Sequence, residues 1–220
     1  MTRHQKGLPG PLTAAVLAAA ALLTAPLPAA AHHMMGGRTP TRLLEGLLSG
    51  LGHPVIGIDH LAFTVAVGVA CACLAARYVL PAVFVAATVA GCLLRTAGGI
   101  ELPATEIAVA GSLVLLGAPV MGGAALGGGA CALLFAAAGL VHGAAYAEAI
   151  VGAEPTPLLA YLAGFGLVQY AIAVGAMWLA RRAGQAASAA DLAPRLIGAL
   201  VAGIGVALVF ERIEAVVFAV

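Results

Sequence analysis

Residues 53–76 read HPVIGIDHLAFTVAVGVACACLAA. From Pro54 to Ala76 the run is apolar and long enough to cross the hydrocarbon core of a bilayer, which takes about 20 residues of helix. Its first third carries His53, Asp59 and His60. Charged and imidazole side chains are costly at membrane depth and face a cavity or a partner there. Pro54 and Gly57 weaken the helix beside them, so the segment is expected to be partly unwound. In an unbroken helix His53 and His60 share a face but lie about 10 Å apart along the axis, too far for one small ion. A bend would bring the three side chains together, and irregular backbone is tolerated in a membrane where it lines a cavity.

Working outward, five further apolar runs follow at 79–97, 103–121, 125–147, 158–180 and 194–210, which with 54–76 make six spans. Arg42–Leu51 reads as a short amphipathic helix ahead of the first. The 220 residues are 63% hydrophobic and only 9% charged. Mean hydropathy is +1.09, too apolar for a soluble surface to be covered. The fold class expected is therefore an all-α integral membrane protein of about six transmembrane helices. No period-two alternation supports strands. The net charge of +1 and the lack of basic runs give no reason to expect nucleic acid. Gly122, Gly123, Gly127, Gly128 and Gly129 lack a Walker pattern and read as close helix contacts. Cys71, Cys73, Cys92 and Cys131 sit in apolar runs and read as packing residues.

The N-terminus reads as a cleaved signal peptide over residues 1–31, leaving 32–220 as the polytopic membrane domain. Arg3 and Lys6 precede the apolar Leu12–Leu23, and Ala29-Ala30-Ala31 supplies a cleavage site. The mature chain would begin at His32, outside the cytoplasm. Arg77, Arg181, Arg182 and Arg195 then fall at cytoplasmic ends and Arg95 at an outer one, as the positive-inside rule favours. His32-His33-Met34-Met35 reads equally as a metal-capturing tail or a chance run.

This topology places ionisable groups of three segments at similar depth: His53, Asp59 and His60; Glu106; and His142 with Glu148. Imidazole nitrogen and carboxylate oxygen suit divalent nickel, cobalt or zinc. Structural alternatives exist for each: His142 as a helix–helix hydrogen bond, Asp59 paired with Arg95, and Glu148 and Glu154 as solvated loop residues. Ser112 and His142 are a hydrolytic pair in composition. By this topology Ser112 lies deeper than His142, so contact is not expected. No HExxH occurs, which leaves a zinc protease of that type unsupported.

His53-x5-Asp59-His60, followed by Leu61-Ala62 and Val67-Gly68, resembles the signature of the HupE/UreJ family. Leu102-Pro103 with Glu106, the stretch Gly139–Glu148, and the signal peptide with six spans resemble it as well. That family's second motif often reads FHGxAHGxE. Here Val141 precedes His142-Gly143-Ala144-Ala145, Tyr146 stands where a second histidine would, Ala147 replaces glycine and Glu148 comes one residue early. Phe63 stands near a frequent methionine.

The resemblance implies a hydrogenase or urease accessory permease of the bacterial inner membrane, with nickel or cobalt as substrate and no permanently bound cofactor. His53, Asp59, His60, Glu106, His142 and Glu148 are its candidate metal-binding residues. The partners expected are the cation and the bilayer, with homo-oligomerisation left open. Metal binding is expected to strengthen as pH rises through the histidine range, because imidazole ligands must be deprotonated. The alternatives are a non-transporting accessory protein for metalloenzyme maturation and an intramembrane hydrolase.

Overall fold

The computed structural model describes residues 37–182 and 188–218, all within one compact unit, His32–Val220. The signal peptide at 1–31 and the His32–His33 tail lie outside the described residues. Seven α-helices account for the described chain: α1 Leu43–Ile56, α2 Ile58–Cys71, α3 Val79–Thr96, α4 Thr105–Met121, α5 Gly128–Tyr146, α6 Pro155–Arg182 and α7 Leu192–Phe218, with a 3₁₀ turn at Ala147–Ala149. There is no strand among the described residues.

The first expected span is replaced by a bent pair. α1 and α2 meet at 76°, and Gly57 joins them in extended conformation, φ −72° and ψ 106°. Its N–H donates to His53 O at 3.1 Å, and its own carbonyl accepts from the Leu61 N–H at 2.9 Å. A Cβ on Gly57 would sit 2.8 Å from His60 Cδ2 and 3.1 Å from Asp59 Oδ1, so a side chain at the bend would push the imidazole and the carboxylate from their places. The amphipathic reading of 42–51 changes accordingly. The helix continues through Pro54 and turns Gly46, Ser49, Gly50 and His53 inward, while Leu43, Leu44, Leu48, Val55 and Ile56 are exposed. Apolar outward and polar inward is the arrangement lipid favours, and it makes α1 a limb of a broken or re-entrant span.

α3, α5, α6 and α7 are long and apolar enough to cross a membrane, or five segments if the bent pair is one span; α4, at 17 residues, is a shorter apolar helix. A multi-pass membrane protein follows. Four close helix pairs set the bundle, and each depends on a glycine that leaves no room for a Cβ. Gly46 and Gly50 of α1 abut the carbonyls of Pro157 and Tyr161 in α6, and Gly68 of α2 abuts that of Ala173 further along α6. Gly91, Gly139 and Gly143 join α3 to α5, and Gly117, Gly198 and Gly205 join α4 to α7. This is small-residue packing, the means by which backbones approach closely where lipid supplies no hydrophobic drive.

The same contacts give direction. α2 runs parallel to α6 and α3 parallel to α5, whereas α4 runs antiparallel to α7, with Arg195 donating to Met121 O at one end and Arg212 meeting Glu106 at the other. Alternating crossings require these directions.

The glycine cluster after α4 behaves otherwise than expected. Gly127, Gly128 and Gly129 have open space where a Cβ would be, and Gly123 takes φ +71° in the turn between α4 and α5. That cluster makes a turn, and the close contacts belong to isolated glycines elsewhere. Cys71, Cys92 and Cys131 are buried as expected, but Cys73 is exposed, in the turn that follows α2.

Candidate functional site

The bend between α1 and α2 delivers His53 and His60 to one place. Their rings lie edge to face with centroids 5.6 Å apart. His142 of α5 completes a group of three, with His60 Nδ1 and His142 Nδ1 2.8 Å apart. All three are buried, His142 completely. Asp59 accepts the His60 backbone N–H at 2.8 Å, which holds its carboxylate at the first turn of α2. Thr64 donates to His60 O at 2.8 Å.

Aromatic rings wall the group. Tyr146 stacks on His60, with centroids 4.2 Å apart, and meets His53 edge-on at 4.7 Å. Its other face lies against Phe165 at 5.1 Å and 6°. Phe63 and Phe84 cover His142. The position where the sequence shows tyrosine in place of a second histidine is thus filled by a ring that packs against two of the imidazoles.

Two hydroxyls anchor the outer members. The Tyr161 hydroxyl donates to Tyr146 O at 2.8 Å and lies 2.7 Å from His53 Nδ1. Ser112 donates to Val109 O at 2.7 Å and lies 2.9 Å from His142 Nε2. The expectation that Ser112 would lie too deep to touch His142 is therefore corrected. α4 and α5 cross so that Ser112, the eighth residue after Ala104, comes level with His142. Tyr161 was not singled out from the sequence. Its signal was available: Tyr161, Phe165, Gln169, Ala173 and Met177, at intervals of four, form the buried face of α6. The Gln169 Oε1 atom accepts from Thr88 at 2.9 Å, which carries the polar line one turn beyond Phe165.

The two glutamates stand apart from the histidines. Glu148 pairs with Arg95 at 3.1 Å and Glu106 with Arg212 at 2.7 Å, and their side chains are 47% and 51% exposed. Arg95, considered above as a structural partner of Asp59, also donates to Ala144 O at 3.0 Å. Both pairs line an open pocket of about 430 Å³, together with Glu101, Leu102, Thr105 and Ile107. Among the described residues no three His, Cys, Asp or Glu side chains are already arranged to hold one metal ion. The imidazoles are engaged in hydrogen bonds and the glutamates in ion pairs, so an ion would have to displace some of these contacts.

The family model described as HupE / UreJ protein matches residues 20–208. Protein HupE of Rhizobium leguminosarum bv. viciae is 30% identical over 185 residues, which cover 76% of this chain and 91% of that protein. No solved structure matches.

Proposed function

The chain belongs to the HupE / UreJ family, and from that premise we propose that it is a secondary permease that carries nickel, or cobalt, across the bacterial inner membrane. It would supply hydrogenase- or urease-type metalloenzymes. It acts without a resident cofactor and without catalysis, with the mature N-terminus outside the cytoplasm. The observation that carries this reading is the buried group of three imidazoles beside Asp59 at a bent helix pair. Neutral imidazole and one carboxylate at membrane depth offer a divalent cation replacement for part of its water. The pocket between Glu101, Glu106 and Glu148 is its approach.

The Ser112–His142 contact raises the hydrolase reading again, and the hydrogen bonds speak against it. A serine nucleophile must hand its proton to the histidine. Ser112 Oγ lies 2.7 Å from Val109 O as well as 2.9 Å from His142 Nε2, so a carbonyl competes for its proton, and His142 is closed in by Phe63 and Phe84 with no exposed surface.

Radiolabelled nickel or cobalt accumulation in a heterologous cell, per unit of membrane-inserted protein, tests the proposal. Asp59→Asn preserves shape and removes the charge. Accumulation is expected to vanish while inserted protein stays near normal. Unchanged accumulation per molecule would defeat the permease site, and an unsubstituted chain that moves no metal would favour a non-transporting accessory role.

A further inference from the structure

An open groove of about 510 Å³ runs between α2, α6 and α7. Val69 lines it from α2, Gly175 and Leu179 from α6, and Pro194 and Ile197 from α7. Every described residue that lines it is apolar, so its side chains offer an occupant dispersion contacts and no hydrogen bond.

The mouth of the groove is built differently. Arg181 and Arg182 follow Leu179 and Ala180 directly. The Arg181 guanidinium donates to Ala72 O at 2.6 Å. Ala72 is three residues beyond Val69, so Arg181 reaches from α6 to the end of α2 across that end of the groove. Arg182 comes three residues after Leu179 and seven after Gly175, which sets it on the groove face of α6. It is exposed and lies over the Trp178 ring, 4.5 Å from its centroid. Among the described residues no carboxylate forms an ion pair with either arginine. Asp191, just before α7, is turned to the Ser188 N–H, which it accepts at 2.9 Å.

An apolar groove that ends at two arginines matches the two halves of an anionic phospholipid, an acyl chain and a phosphate. Arginine holds phosphate through charge-assisted hydrogen bonds, and basic pockets between transmembrane helices take acidic headgroups. A second copy of the chain fits less well. In a two-fold dimer the same patch meets itself, so Arg182 would face Arg182 at one depth.

We propose that this groove binds one anionic phospholipid, with an acyl chain between α2, α6 and α7 and the phosphate held by Arg181 and Arg182. The site stands apart from the imidazole group and does not depend on the permease reading. It would fasten α2 to α6 and α7 at the end away from the bend at Gly57.

Native mass spectrometry tests this on the full-length protein, taken from bilayers of equal phosphatidylglycerol and phosphatidylethanolamine into detergent. One phosphatidylglycerol per chain is expected to stay bound, in preference to phosphatidylethanolamine. Arg182→Gln is expected to lower that preference about fivefold, the worth of one arginine beside an acidic headgroup. Arg77→Gln removes the same charge from the turn before α3 and is expected to change nothing. Gly175→Leu fills the groove at a position where a Cβ meets nothing within 4 Å, and it is expected to abolish retention with both arginines in place. If Gly175→Leu does not insert, the contrast between Arg182→Gln and Arg77→Gln decides alone. Equal retention of the two lipids, or equal loss in the two arginine variants, would mean a general attraction to a basic end and would overturn the proposal. A lipid-free dimer that Gly175→Leu turns into a monomer would give the groove to a second copy and overturn it as well.

Discussion

The imidazole group and the charged pocket hold the ionisable candidates that the sequence set at one depth, yet they are built in opposite ways. Around His53, His60 and His142 every contact is short, buried and walled by aromatic rings. Around Glu106 and Glu148 each carboxylate meets one arginine at the rim of an open pocket, about half exposed. Polar contacts strengthen where water is excluded and are worth little where it is not. The difference teaches that equal depth is not equal role. On the proposed permease reading, one layer would bind a dehydrated cation, and the other would meet it while still hydrated.

The sharpest way to break that division is His60→Ala. His60 touches His53, His142 and Tyr146 at once, so its removal dismantles the whole group. Metal accumulation per inserted molecule is expected to fall to background. Substantial residual uptake would move the binding step out to the pocket. His142→Ala is expected to match it, because His60 loses the partner that orients its ring.

Gly143, next to His142, tests whether fold and site can be separated. A Cβ there would collide with the backbone of Thr88 and Cys92. Gly143→Ala is expected to cost about 1–3 kcal/mol through overpacking, read as a loss of membrane-inserted protein. Gly127→Ala, where a Cβ meets nothing within 4 Å, is the control and is expected to leave protein level unchanged. Equal levels in both would mean that the α3–α5 contact does not hold the bundle.

Much of this architecture was legible in the sequence. The run from Val79 to Ala97 became α3 at Val79–Thr96, and the runs at 103–121 and 125–147 became α4 and α5 with shifts of a few residues. Apolar length decides such elements locally. The weakening of the first span at Pro54 and Gly57 was legible too, but not its consequence, that the limb before the bend packs along α6 and carries its leucines outward. That depends on Gly46 and Gly50 finding Pro157 and Tyr161, a partnership between segments about 110 residues apart that no local pattern encodes. In the site, the histidines announced themselves by being ionisable in a span. Tyr161 did not, and Ser112 stood out only as half of a hydrolytic pair whose contact with His142 was not expected, because a hydroxyl within apolar sequence is inexpensive and common, and only the crossing of helices shows which one meets an imidazole. The arginine partners of Glu106 and Glu148 were hidden for the same reason: Arg95 lies 53 residues before Glu148.

Glu148→Gln addresses the rim. It removes the charge opposite Arg95 but leaves the 3.0 Å hydrogen bond from Arg95 to Ala144 O in place. Uptake is expected to fall severalfold, well short of the loss in His60→Ala. Complete loss, equal to that in His60→Ala, would make Glu148 a full ligand and erase the distinction between the two layers.

Glu106→Gln should have the smallest effect. Its carboxylate is half exposed, and its ion pair with Arg212 joins α4 to α7 at their ends. Exposed pairs of this kind contribute about 1 kcal/mol or less, about fivefold at most in an equilibrium constant. The α4–α7 contact also has Gly117, Gly198 and Gly205 to hold it, so inserted protein is expected to stay near normal. If Glu106 only draws hydrated cations towards the pocket, its effect should be electrostatic and long-ranged. Added monovalent salt should then shrink the difference in uptake between Glu106→Gln and the unsubstituted chain, because ions screen exposed charges within about 10 Å at 0.1 M. A ligand in direct contact with the metal would not be screened away in this manner. A defect in Glu106→Gln that persists undiminished at high salt would therefore place Glu106 on the metal itself, and the outer pocket would become part of the binding site.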